Sequence, residues 1–243
     1  MVPLGWGAEG CQQCWRRGVP LAAEAAPAFS REVVERRLEA ALDVVTAAGA
    51  VEPAALERFA AAWDAGETGP SSLVPRRGRI GSPAEPFAPD VVAFLAVASL
   101  RPDFEAYFDR VREHLAPADW RLGICPFCGA PPGWGDVLED GRRRLACHLC
   151  GGAWVFSRVA CPFCGDESTG NLRRLEAGER DEGYWVSACT ACHGYLKEID
   201  RRVRWNGRSA LVEDWGSPHL DLVAVQGGLW RPMPTLLGLM PQL

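Results

Sequence analysis

Residues 147–165 read CHLCGGAWVFSRVACPFCG and contain four cysteines in two C-x-x-C pairs, with ten residues between the pairs. Four thiolates arranged as a tetrahedron suit Zn²⁺ or a rubredoxin-type iron ion, and one C-x-x-C turn supplies two of them. These four cysteines therefore either close a single metal site or form the end of one site and the start of the next.

Two further pairs flank this stretch, Cys125/Cys128 before it and Cys189/Cys192 after it. Pairing in sequence order leaves 18 and 24 residues inside the two sites, and the first length is usual for zinc ribbons. Nested pairing leaves only ten residues in the inner site, and crossed pairing joins the first pair to the third. We predict the sequential arrangement, because each stretch can fold as a hairpin and EDG at 139–141 marks a turn. The predicted ligands are Cys125, Cys128, Cys147 and Cys150 in site 1 and Cys161, Cys164, Cys189 and Cys192 in site 2, with one Zn²⁺ or Fe ion in each site.

Other uses of the C-x-x-C pairs fit less well. The motif CPFC occurs twice and resembles a thioredoxin-type active site, but CPFCGAPPGWG has prolines and glycines where the required helix should begin. The segment CTACH, residues 189–193, matches the c-type haem attachment motif, yet both of its cysteines belong to predicted site 2. Cys11 and Cys14 cannot complete a tetrahedral site alone and form a candidate extra thiol pair without an assigned function.

The composition limits the classes of function. Of the 243 residues 48% are hydrophobic, and the formal net charge of −5 argues against a protein that mainly grips phosphate backbones. The N-terminal residues lack a basic start followed by an apolar core, and no apolar run approaches the roughly 20 residues of a membrane span. These features predict a cytoplasmic protein without a membrane partner, where paired thiols indicate metal binding more than disulfides.

Hydrophobic periodicity predicts helices in the N-terminal half. Ser30 can cap a helix that runs to Gly49, a second helix follows Pro53, and a Gly-, Pro- and Ser-rich loop covers residues 66–89. A nearly all-apolar helix follows the loop, and Pro102 is placed at the start of a further helix.

The cysteine-rich part has a different pattern. The runs RRLAC, AWVFSRVAC and YWVSAC predict short hairpins, and the change in composition places a domain boundary near residue 120. Ser217 and Pro218 can open a short helix that stops at Gly227. The predicted fold class is α+β, with an α-helical N-terminal domain, two tandem rubredoxin-like or zinc-ribbon modules and a short C-terminal helix. The predicted domains are 1–120 (helical), 121–158 (first ribbon), 159–210 (second ribbon) and 211–243 (a helical tail packing on the ribbons).

The cysteine pairs stand within longer informative segments. The chain contains ICPFCGAPP, RRLACHLCGGAWVFSRVACPFCG, ACTACHGYLKEID and the closing DLVAVQGGLWRPMPTLLGL. From about residue 120 to the end, this combination resembles the formate dehydrogenase accessory (formation) protein family, FdhE. All eight cysteines of the two sites match family positions, whereas the Cys11/Cys14 pair and the short N-terminal half depart from the family pattern.

The resemblance implies two rubredoxin-like four-cysteine centres and no catalysis by the chain itself. It also implies a role in maturing a molybdenum- or tungsten-containing formate dehydrogenase, through binding of the catalytic subunit in the cytoplasm. Segments shared with the family beyond the cysteines suggest partner-binding residues, which are Trp154, Arg158, Tyr195 and Lys197. Two alternatives stay open: a nucleic-acid-binding zinc-ribbon protein, and a rubredoxin-like electron carrier or thiol oxidoreductase.

Overall fold

The computed structural model describes residues 6–74, 87–116, 119–176, 178, 181–206 and 208–239, and these form seven α-helices and six β-strands. The helices are α1 (Ala8–Arg16), α2 (Leu21–Glu24), α3 (Arg31–Ala47), α4 (Pro53–Asp64), α5 (Pro89–Phe108), α6 (Ala210–Trp215) and α7 (Pro218–Gln226). The strands are β1 (Trp134–Val137), β2 (Arg143–Ala146), β3 (Ala153–Phe156), β4 (Leu172–Leu175), β5 (Tyr184–Cys189) and β6 (Tyr195–Asp200). The helices come first, the strands lie in the cysteine-rich part, and two more helices follow them. This order confirms the predicted α+β class.

The longer N-terminal helices lie where the sequence predicts. Ser30 precedes α3, and Gly49 follows it with a φ of +69°, a left-handed conformation that ends a helix and favours glycine. Pro53 is the first residue of α4. Of the predicted loop 66–89, residues 75–86 lie outside the described residues. The sequence analysis does not predict the short helices α1, α2 and α6, and α2 and α6, with four and six residues, are too short to show a helical repeat of apolar residues.

The prediction of a new helix at Pro102 is wrong, because α5 runs through this residue from Pro89 to Phe108. A proline inside a helix removes a backbone hydrogen bond and costs about 3 kcal/mol. However, Leu100 and Phe104, on either side of the proline, are fully buried. Each such side chain contributes about 1.5 to 3 kcal/mol on burial, so the packing of α5 in the core outweighs the cost of the proline.

One six-stranded sheet carries both cysteine-rich modules, in the strand order β3-β2-β1-β6-β5-β4. Neighbouring strands are antiparallel except β1 and β6, which run parallel with Gly135 opposite Glu198. The predicted turn at 139–141 joins β1 to β2, and Gly141 adopts a φ of +81°. The predicted hairpins are therefore present, and the β1–β6 pairing, which the sequence does not predict, joins them into one sheet.

Two hydrophobic clusters connect the sheet to the helices. The larger packs α1, α3, α4 and α5 against the first module and includes Phe127 and Leu145. The smaller packs α7 against the sheet and includes Trp134 and Leu220. The larger cluster extends across residue 120, so the helical segment and the first module share a core. The division into four domains stays a prediction.

Candidate metal centres

The four C-x-x-C pairs of the two predicted sites fold into the same backbone turn. In each turn the amide of the first cysteine donates to the carbonyl oxygen five residues later, at 2.8–2.9 Å. The residue after the second cysteine has a positive φ in every turn. These residues are Gly129, Gly151, Gly165 and His193, with φ angles of 80°, 68°, 75° and 57°. Glycine adopts this conformation without steric cost, so His193 is the unusual member of the set.

The structure brings the eight cysteines together as two groups of four, in the sequential arrangement, and within each group all sulfur atoms lie within 4.8 Å of one another. Sulfurs at about 2.3 Å from a tetrahedral Zn²⁺ are about 3.8 Å apart. In site 2 the separations are 3.7 Å for Cys161–Cys192 and 3.8 Å for Cys164–Cys189. The equivalent separations in site 1 are 3.4 and 3.5 Å. Each group can therefore hold one metal ion, and four sulfurs suit zinc or iron.

Site 1 is buried against the helices. Its four cysteines are at most 3% exposed. The indole of Trp15 donates to the carbonyl oxygen of Pro126 at 3.1 Å, and the Arg112 guanidinium donates to that of Cys150 at 2.5 Å. Arg101 donates to a carbonyl oxygen in the same loop as Cys150. Site 1 is thus an internal part of the hydrophobic core.

Site 2 is open to solvent. Cys161 and Cys189 are buried, whereas Cys164 is exposed and Cys192 is half-buried. The indole of Trp230 donates to the carbonyl oxygen of Cys192 at 2.7 Å, but this side chain is itself 48% exposed. The two sites therefore share a backbone design and differ in how far the surrounding residues enclose them.

Burial disfavours the charged thiolate form of several cysteines in the two clusters. Burial raises the pKa of the Cys125 and Cys128 thiols well above the usual value, because a thiolate loses its hydration there. In site 2, burial raises the pKa of Cys161 to about 11. A metal dication favours the thiolate form of its ligands, so its binding releases protons and stabilises the folded site.

Cys11 and Cys14 lie on α1, are buried, and belong to neither group of four. Burial raises the pKa of Cys11 to about 11, and a guanidinium nitrogen of Arg17 lies 3.7 Å from the sulfur of Cys14. Both side chains pack in the larger hydrophobic cluster together with Trp15. In this position they pack as small apolar residues, and the candidate extra thiol pair stays without an assigned function.

Three of the four predicted partner-binding residues lie in the interior. The indole of Trp154 donates to the carbonyl oxygen of Leu122 at 3.1 Å, and Tyr195 and Lys197 are each 1% exposed. A partner cannot reach these side chains in this fold, so the prediction needs correction for them. Arg158, the fourth residue, is exposed.

A buried group of charged side chains lies beside site 1, and the sequence does not predict it. Lys197 pairs with Asp214 at 2.8 Å and with Asp221 at 2.7 Å, and Arg231 pairs with the same carboxylates at 2.8 and 3.3 Å. The imidazole of His148, in the second loop of site 1, also contacts Asp214. Burial alone would raise the pKa of Asp214, but Arg231, His148 and Lys197 hold it well below the usual range. We call these five residues the ion cluster.

The ion cluster connects elements that are distant in sequence. It joins a loop of site 1, strand β6, the helices α6 and α7, and the chain after α7.

Among the residues that the structure describes, no helix has the length and hydropathy that a membrane crossing requires.

A sheet that carries two four-cysteine metal-binding clusters and packs on a helical segment defines a tandem zinc-ribbon protein. A curated FdhE homologue from Stutzerimonas stutzeri is 36% identical over 118 residues, which are 47% of this chain and 38% of that protein. One from Aquifex aeolicus is 28% identical over 155 residues, which are 61% of this chain and 53% of that protein. Over these segments the chain is similar to curated FdhE homologues.

A solved structure has the same overall fold. The alignment with the crystal structure of the FdhE protein from Pseudomonas aeruginosa covers 98% of this chain and 81% of the Pseudomonas chain, with a TM-score of 0.57 and 22% sequence identity. No family model matches the chain. The matched segments span between 38% and 53% of the length of the curated relatives described above.

Proposed function

We propose that this chain is a metal-binding accessory protein for the maturation of a formate dehydrogenase. In this proposal it binds the catalytic subunit of that enzyme in the cytoplasm and catalyses no reaction itself. The observation that carries the proposal is the presence of two four-cysteine clusters in a chain that is similar to curated FdhE homologues.

Each cluster holds one metal ion in this proposal, Zn²⁺ or Fe, with the eight cysteines of sites 1 and 2 as ligands. The sulfur separations and the buried thiols support it. The strands of the two modules have only four to six residues, so the modules bury little apolar surface of their own. Metal binding then contributes directly to their folding, as it does in other small zinc modules.

The ion cluster supports a role in holding a binding surface rather than in chemistry. Its two cations, Lys197 and Arg231, are balanced by the carboxylates of Asp214 and Asp221. Charges that neutralise one another in the interior fix the positions of the elements that carry them. The modules and the C-terminal helices would therefore present one rigid surface to the client.

On that surface we infer that the client contacts the loop between β3 and site 2. Arg158 in this loop is exposed, and Val159 beside it is 51% exposed. Arginine is enriched at protein–protein interfaces, and Val159 offers an exposed apolar contact beside it.

A pull-down with metal analysis tests the proposal. The tagged full chain is isolated from cells that express formate dehydrogenase, and the co-purified proteins and bound metals are identified in the same eluate. We expect a formate dehydrogenase catalytic subunit and two metal ions per chain. The double variant Arg158→Glu/Val159→Asp should lose the client and keep both metal ions. The control variant Val44→Asp, at a position 54% exposed on α3, should keep the client and both metal ions.

Other results would contradict the proposal. Nucleic acid in the eluate, bound with a steep dependence on salt, would indicate the nucleic-acid-binding alternative. A red protein with a reversible iron couple and a reductase as its partner would indicate an electron carrier. Two metal ions per chain without a formate dehydrogenase subunit would support the two metal sites and contradict the proposed function.

A further inference from the structure

The two metal clusters share ligand types and backbone turns but differ in their contact with solvent. In site 1 no cysteine is more than 3% exposed. In site 2 Cys164 is exposed and Cys192 is half-buried. We propose that site 2 is an exchangeable metal centre, which chelators and soft electrophiles reach through Cys164, and that site 1 is a permanently bound structural centre.

The enclosure of site 1 comes from the helical segment. The backbone amide of Leu21 and the indole of Trp15 both donate to the carbonyl oxygen of Pro126, at 3.0 and 3.1 Å. On the other loop, Arg112 donates to the carbonyl oxygen of Cys150 at 2.5 Å. A reagent can reach the sulfurs only after these elements separate from the first module. Because they share its hydrophobic core, such an opening disrupts a large part of the fold.

The loops of site 2 have no equivalent cover. A Cβ atom on Gly151 in site 1 would meet a carboxylate oxygen of Glu105 at 2.5 Å, whereas one on the equivalent Gly165 would have no neighbour within 4 Å. Trp230 contacts the backbone at Cys192 and is 48% exposed, and its ring lies 6.3 Å from that of Phe163, which belongs to the Cys161–Cys164 turn. Solvent therefore reaches the Cys164 side of site 2 without any change in the fold.

Access to one ligand is sufficient for metal exchange. A donor atom of a chelator binds the metal as the bond between the metal and the Cys164 sulfur breaks, and the released thiolate takes a proton from water. In a separate reaction without chelator, a maleimide traps the thiolate before it is protonated: the sulfur bonds to an alkene carbon, and the adjacent carbon takes a proton from water. Exposed thiolates are the form that reacts with such electrophiles. This inference does not depend on the identity of the client.

Metal release from the zinc-loaded full chain tests the inference. A chromogenic zinc chelator in excess reports the number of ions released per chain against time. We expect one ion to leave at least about tenfold faster than the other, which corresponds to a difference of about 1.4 kcal/mol in the activation free energy of release. With limiting N-ethylmaleimide, peptide mapping should show Cys164 modified first and the site 1 cysteines protected.

Variants assign the two phases. Cys164→Ser should remove the fast phase, and Cys125→Ser should remove the slow one. Trp230→Ala should accelerate the fast phase further, while Trp205→Ala, at a position 74% exposed, should leave both rates unchanged. Release of both ions at one rate, or modification of Cys125 before Cys164 in the unaltered chain, would overturn the inference. The peptide mapping uses the unaltered chain, so it tests the inference even if a variant fails to fold.

Discussion

The Nε2 atom of His148 lies 2.8 Å from Oδ2 of Asp214, and neither side chain is more than 2% exposed. Asp214 also pairs with Lys197 on β6 and with Arg231 beyond α7. A single carboxylate on α6 thus contacts a loop of site 1, a central strand and the C-terminal part of the chain. We expect its charge to be important for the stability of the whole cysteine-rich part.

Substitution Asp214→Asn should lower the free energy of unfolding by about 3 to 5 kcal/mol, because it leaves one buried cation without a counter-charge. Chemical denaturation of the metal-loaded protein measures this loss. The control is Asp140→Asn, which breaks an exposed pair with Arg142 and should have no measurable effect. Equal stability of the two variants would show that the ion cluster does not hold the fold together.

The acid stability of the protein should depend on the same residue. The folded-state pKa of Asp214 lies below its usual value, so its contribution is fully present above about pH 4, near the pKa of an unfolded aspartate. It is lost as the pH falls from there towards the folded-state pKa. The difference in unfolding free energy between the unaltered protein and Asp214→Asn should therefore shrink below about pH 4. Both proteins share the metal sites, so acid release of metal cancels in the difference. A gap that stays constant down to pH 3 would contradict this assignment.

The metal-binding turns are predictable from the sequence because every determinant is local. Two cysteines three residues apart, followed by glycine, specify a turn with a positive φ at that glycine, and Gly129, Gly151 and Gly165 adopt it. The sequential pairing also follows from short segments that can form hairpins. At Pro102, in contrast, the local rule for a proline fails, because burial of the whole α5 outweighs it.

The ion cluster and the β1–β6 pairing are not predictable in this way, because their partners are distant in sequence. Gly135 has no side chain to indicate that Glu198 lies opposite it on a parallel strand. Asp214 and Asp221 lie on short helices, where acidic residues are usually exposed, and their pairs with Lys197 and Arg231 explain their burial. Because these contacts join residues that are distant in sequence, the sequence analysis places Lys197 on a partner surface, whereas the side chain is buried.

Removal of single ligands should show two independent sites. Cys125→Ser and Cys189→Ser should each reduce the bound metal from two ions to one, as measured by elemental analysis of the purified chain. A structural zinc ion contributes on the order of 10 kcal/mol, so loss of site 1 should also unfold part of the shared core. Loss of site 2 should leave the helical segment folded. Cys11→Ala should keep both ions, and loss of the same ion in both serine variants would refute the sequential pairing.

The backbone at His193 makes a separate prediction about site 2. This residue has a φ of +57° at the position where the other three turns have glycine, and a left-handed backbone costs a residue with a Cβ atom roughly 1 to 2 kcal/mol. His193→Gly should therefore preserve or raise the thermal midpoint, and His193→Val should lower it, because a β-branched side chain tolerates this conformation least. The control is Ala191→Val, at an exposed neighbour whose φ is not positive. If His193→Gly instead loses the metal of site 2 while Ala191→Val keeps it, the imidazole itself contributes to the site and backbone strain is not its main effect.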